Sequence, residues 1–152
     1  MRVDEQDIKV RRMVDEDMPM VKVIDRSLSG TKRAISWPVH AELEAEVYRP
    51  AMSFVAELNG VVVGFILGDI RGVEYEKDIK GWIDMVAVHP KYQGLGIGRR
   101  LVEAFCEACE QNKVNAQVLL RDEDELLKGF FNLLDFRRGD FVIFVRERPA
   151  EK

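Results

Sequence analysis

Gly94, Gly96 and Gly98 stand at alternate positions between an apolar run and an amphipathic one, and they carry the most specific chemistry in the chain. Without Cβ atoms they permit a sharp bend and let successive backbone N–H groups point into one concavity. At a helix start that concavity also meets the positive end of the helix dipole, so it suits an anion. Arg99, Arg100 and Lys91 add fixed positive charge, which favours a ligand with more than one phosphate over a carboxylate. Two familiar phosphate loops do not fit. G-x-G-x-x-G fails because Arg99 or Leu101 falls on its last position, and a P-loop fails because Gly98 is followed by Arg99-Arg100 rather than by Lys and a hydroxyl residue. A plain strand-to-helix turn needs only one of the three glycines.

A second group is Asp84, the one acid within the run Trp82-Ile-Asp-Met-Val-Ala-Val88. An acid in an apolar strand costs free energy unless it is paired, faces a cleft or is used as a proton acceptor. Pairing with an arginine such as Arg71 is the structural alternative. Cys106 and Cys109 form a C-x-x-C, but no second Cys/His pair lies near and the chain has two histidines, so a zinc site lacks ligands. Both sit mid-helix among apolar residues and read as packed, reduced thiols; no metal is expected.

The loop Gln93-Gly-Leu-Gly-Ile-Gly98, led in by Val86-Ala-Val-His-Pro-Lys-Tyr92, resembles the acyl-CoA-binding signature of the GNAT N-acetyltransferase family, Gln/Arg-x-x-Gly-x-Gly/Ala. The resemblance implies that Gln93, Gly94, Leu95, Gly96, Ile97, Gly98 and Arg99 hold the coenzyme A pyrophosphate. It implies that Val86, Ala87 and Val88 pair with the pantetheine arm, and that the Val86 N–H is an oxyanion donor. Asp84 is then the general-base candidate, although family members that carry an acid on this strand have it two residues earlier, where this chain has Trp82. Further departures follow from the motif Asn-x-x-Ala-x-x-hydrophobic-Tyr-x-x-x-Gly-Phe. Its register places Asp124 at the Asn, Leu127 at the Ala, Phe131 at the Tyr and Asp135 at the Gly, with Asp124 and Phe131 expected beside the cofactor. Leu119 stands where some members carry a Glu. A thiol ionises near ~8.5 and leaves readily without full protonation, so the missing hydroxyl lowers rate without forbidding transfer. The implied function is transfer of an acetyl group from acetyl-CoA to a primary amine: a small amine, a protein N-terminus or a lysine. The alternative is a catalytically weak acyl-CoA-binding or regulatory module. The partners implied are acetyl-CoA and an amine acceptor, and a homodimer is compatible with both readings.

Length and composition frame these residues. A chain of 152 residues, 47% hydrophobic and 33% charged, reads as one soluble domain over 1–152, which the resemblance implies is an acyltransferase domain. No apolar run approaches the length of a membrane span and the charged N-terminus lacks a signal-peptide core, so a cytoplasmic protein is expected. A net charge of −4 argues against nucleic acid and is compatible with a cationic substrate.

Periodicity predicts a strand from Ile8 to Val14, a helix capped by Asp15 and carrying Val21, Ile24 and Leu28 inward, and a hairpin of 53–58 and 61–67 turning at Asn59-Gly60. Gly64 marks a bulge or close contact, and 71–80 reads as a charged loop. After the helix from Ile97 come a strand at 116–121, a helix opened by the acids at 122–125, and a last strand, Phe141 to Val145. Between 31 and 50 a helix at 41–48 and candidate substrate contacts at Trp37, His40, Glu42, Glu44 and Glu46 are expected; Tyr48 and Tyr75 substitute for the missing acid only if folding brings them near. The order makes an α/β domain with a mixed sheet; the resemblance implies a GNAT-like fold whose mostly antiparallel sheet is splayed at the acyl-CoA site and flanked by helices.

Overall fold

A computed structural model describes residues 4–28, 52–72 and 79–150. The expected contacts at Trp37, His40, Glu42, Glu44, Glu46, Tyr48 and Tyr75 lie outside these residues. The chain forms two compact units, Met1–Leu119 and Leu120–Lys152.

The first unit is built on a five-stranded sheet in sequence order. β1 (Ile8–Arg12), β2 (Phe54–Leu58), β3 (Val61–Arg71) and β4 (Lys80–Val88) pair antiparallel, and β5 (Ala116–Val118) pairs parallel to β4. Asn59 and Gly60 both take positive φ, 51° and 81°, as the tight turn between β2 and β3 demands. The mixed sheet follows from the connections. Two residues close the β2–β3 hairpin, whereas a parallel β5 needs a crossover, supplied by helix α2 (Ile97–Gln111).

Helix α1 (Met18–Leu28) covers one face of the sheet, setting Val21 and Ile24 against Val55, Phe65, Leu67 and Ala87. It does not begin at Asp15 as its sequence suggests. Residues 15–17 form a 3₁₀ turn, and Asp17 is the acid that accepts the Val14 N–H at 2.8 Å while pairing with Arg11 at 2.8 Å. The Arg11 hydrogen bond holds the Asp17 carboxyl below the usual carboxylate range.

Helix α2 covers the opposite face and rests on backbone. A Cβ at Gly68 would stand 2.3 Å from the Phe105 ring and 2.6 Å from the Trp82 carbonyl, and one at Gly81 would stand 2.2 Å from Cys109 Sγ. Phe105 is fully buried in the space these absent side chains leave. Cys109 is buried with it, and burial pushes both thiols up to about 11, so they stay protonated near neutrality.

The second unit holds helix α3 (Glu125–Leu133). It ends in paired bonds from Asp135 N to Asn132 O and from Phe136 N to Phe131 O, the pattern of a left-handed C-terminal cap. Asp135 carries the positive φ of 66° that explains why the family motif prefers Gly there. The strand expected at Phe141 to Val145 is absent: those residues take no regular secondary structure and all five are exposed. Strand composition specifies a preference for pairing, not a partner.

Candidate active site

The site is read from β4 outward. Its ladder with β3 runs Gly64↔Val88 to Leu67↔Met85, then shifts so that Gly68 opposes Ile83. Asp84 is therefore the extra residue of a β-bulge. The bulge reverses the alternation of faces: Gly81 and Ile83 face α2, whereas Met85 and Ala87 join the cluster under α1. Asp84 pairs with Arg71 at the end of β3, both side chains remaining partly exposed. The pairing foreseen as the structural alternative is thus present.

At the same bulge β4 loses its other neighbour. β5 pairs only Gly81, Trp82 and Ile83, so from Asp84 onward the far edge of β4 has no strand beside it among the described residues. The direction of the backbone groups there follows from one bond. His89 N donates to Val63 O at 2.8 Å, toward β3. In an antiparallel ladder residues alternate, so Val88 and Val86 direct both their N–H and C=O away from β3, into the open side. The Val88 carbonyl is taken there by Gln93 Nε2 at 3.1 Å, while Ala87 turns its backbone groups to β3.

That bond fixes the next turn. Pro90–Tyr92 makes one 3₁₀ turn, with His89 Nδ1 accepting from Lys91 N, and Gly94 and Gly96 then take φ of 83° and 77°. Both values belong to the left-handed region, and Gly96 occupies the N-cap position of α2. A side chain cannot cap this end, and the N–H groups of 94–99 find no acceptor among the described residues. Nothing lies within 4 Å of where a Cβ on Gly94 or Gly96 would be, so the space beside these two residues is open. An anion with several oxygens satisfies those N–H groups.

The flanking charges divide. Arg99 pairs with Glu103 one turn on, at 3.0 Å on the surface. Arg100, expected to charge the loop, instead sends Nη1 to the Ile8 carbonyl at 2.8 Å and ties α2 to β1. A helix advances about 100° per residue, so neighbours in sequence point to different surroundings. Asp124 and Phe131 belong to the second unit. Asp124 caps α3 by accepting from Leu127 N at 3.0 Å, and Phe131 is buried with its ring edge-on to Phe130 and Phe136.

The structure thus joins Val86, Val88, Gln93 and the loop 94–99 into one continuous backbone surface, with Asp84 at its upstream end. That the bulge falls at Asp84 is not legible in the sequence, because a register shift depends on the partner strand. No group of three or more potential metal ligands occurs among the described residues. No described helix is long and apolar enough to cross a membrane.

Known proteins resemble this chain in sequence and in fold. An acetyltransferase of Yersinia pestis (strain Pestoides F) is 26% identical over 99 residues, covering 62% of this chain. The chain spans less than two thirds of that relative's length, 63%. A possible acetyltransferase from Clostridium difficile 630 superposes with a TM-score of 0.75 at 16% identity, covering 94% of this chain and 99% of the other. The aminoglycoside N-acetyltransferase AAC(6')-Iy in complex with CoA superposes with a TM-score of 0.71 at 18% identity, covering 93% and 95%. The model of the acetyltransferase (GNAT) family matches residues 21–136, most of the chain. This protein belongs to the acetyltransferase (GNAT) family.

Proposed function

We propose that the chain transfers an acetyl group from acetyl-CoA to a primary amine. The observation that carries this reading is the run of open backbone donors at 94–99, continuous with the unpaired edge of β4 through the Gln93–Val88 bond. The loop donors suit the pyrophosphate, and the outward groups of Val86 and Val88 suit the amide-bearing arm of coenzyme A. When bound, the co-substrate supplies an activated acetyl group on sulfur. The chain's own contribution is to orient that group and place the Val86 N–H where a carbonyl oxygen gains charge. Asp84 is the proton acceptor for the attacking amine, held by Arg71 at the point where β5 parts from β4.

The acceptor amine belongs to the same proposal. The net charge of −4 suits a cationic acceptor, and relatives of this fold include an aminoglycoside N-acetyltransferase. A second reading, an acyl-CoA-binding module without efficient turnover, is favoured by Phe131, a buried ring without a hydroxyl at the family's Tyr position.

Thiol release from acetyl-CoA against a panel of aminoglycosides, polyamines, peptide N-termini and lysine tests the transfer. Calorimetry on Gly96→Asp tests the loop, because a carboxylate there opposes a bound phosphate. We expect turnover with at least one amine and acetyl-CoA affinity at least ~tenfold weaker in the variant. Equal affinity in both proteins removes the loop from the site. Tight binding with no turnover on any amine replaces the enzyme with the binding module.

A further inference from the structure

Three polar groups of His89 join the end of β4 to the loop. Its N–H donates to Val63 O at 2.8 Å, its C=O accepts from Tyr92 N at 2.9 Å, and its ring Nδ1 accepts from Lys91 N at 3.2 Å. The first two are main-chain bonds, indifferent to pH. The third is a side-chain cap on the 3₁₀ turn Pro90–Tyr92, and the same ring stands edge-on to Tyr92 with centroids 5.7 Å apart. Ser, Thr, Asn and Asp are the usual caps, and their oxygens accept from the backbone throughout the neutral range. A histidine cap differs. Nδ1 accepts only while the ring is neutral with its proton on Nε2, and a second proton turns the acceptor into a donor facing another donor.

The turn leads directly into the loop. Gln93 closes it in an extended conformation with Nε2 on Val88 O, one residue before the positive φ of Gly94. The direction in which the N–H groups of 94–99 open is therefore inherited from a turn that His89 caps. The surrounding groups do not replace the acceptor. Lys91 and Tyr92 are the titratable neighbours within the turn, and β3 opposite runs Val61-Val-Val63. At the start of α2, Arg99 pairs with Glu103 and Arg100 holds the Ile8 carbonyl. The cations among these groups have no acceptor to offer.

We propose that His89 is a positioning residue of the loop and makes its shape depend on pH. Neutral His89 holds the turn and the loop binds; protonated His89 releases the Lys91 N–H and binding weakens. This rests on the reading of 94–99 as the coenzyme A pyrophosphate site. A purely electrostatic role has the opposite sign, because an imidazolium beside the loop attracts phosphate and tightens binding as pH falls.

Calorimetry with acetyl-CoA on the full chain between pH 8 and pH 5, the range in which imidazoles titrate, separates the two. His89→Asn supplies an amide oxygen that caps without titrating, and His89→Ala removes the cap. Protonation of the ligand's own phosphates acts on all three proteins alike, so the readout is the affinity of each variant relative to wild type at the same pH. His89→Ala is expected to bind about fivefold more weakly than wild type at pH 8, the size of a lost cap, and to match it at pH 5. His89→Asn is expected to match wild type within about twofold at pH 8 and to bind about fivefold more tightly than wild type at pH 5. Circular dichroism should show all three folded at both ends of the range. A wild type that gains on His89→Asn as pH falls overturns the proposal. So does a constant ratio between them, or His89→Ala that equals wild type at pH 8. Gly96→Asp keeps the underlying reading separate. If wild type binds acetyl-CoA no better than Gly96→Asp, the loop leaves the site and this inference falls with it. If binding answers to Gly96→Asp and not to the His89 variants, this inference alone is lost.

Discussion

The two halves of β4 differ in what lies beside them. From Gly81 to Ile83 the strand is paired on both edges and packed so closely under α2 that the helix touches backbone. From Asp84 to Val88 it keeps β3 and loses β5. The first half is spent on cohesion. The second turns the main-chain groups of Val86 and Val88 to an edge with no strand beside it among the described residues. One inserted residue, Asp84, separates the two, so stability and binding should respond to different substitutions only a few residues apart.

The largest effect should fall on the closed half. Gly68→Ala introduces a methyl group 2.6 Å from the Trp82 carbonyl and 2.3 Å from the Phe105 ring, and we expect a loss of about 3 kcal/mol in urea unfolding. A loss below ~1 kcal/mol would mean that helix and sheet yield easily there. At the boundary, Asp84→Asn should lower kcat about a hundredfold at neutral pH. The same change should cost under ~1 kcal/mol of stability, because its pair with Arg71 is partly exposed. The rate deficit should shrink as pH rises, since a deprotonated amine needs no acceptor. Full activity at every pH would move the base elsewhere. The smallest effect belongs to the open half. Val86→Ala leaves the main chain intact, so acetyl-CoA affinity should stay within about threefold, ~0.7 kcal/mol. A tenfold loss would show the side chain, rather than the backbone, to be the contact.

Much of this division can be read in the residues. Asn59-Gly60 dictates its hairpin locally, and Gly94 and Gly96 take the positive φ that their spacing at a helix start implies. Features that depend on a distant partner are harder. The bulge at Asp84 exists only relative to Gly68 and Leu67. Asp17 outcompetes Asp15 as a cap because Arg11 on β1 is within its reach. Gly68 and Gly81 look like weak strand residues until Phe105 and Cys109 fill the space above them. Phe141 to Val145 has the composition of a strand, but composition names no neighbour. Phe131 is legible as a missing hydroxyl, and Arg71 as one possible partner of Asp84, which the fold then selects.

The bond from Arg100 to the Ile8 carbonyl joins residues 92 positions apart. In the order of synthesis, β1 leaves the ribosome long before the helix that it will anchor. The first strand must therefore wait for most of the chain before its last contact closes, and a closure this distant makes the assembly of the sheet edge slow compared with the local hairpin. The glycine-capped start of α2 is thereby set in its final orientation only when the earlier-made strand β1 returns to it.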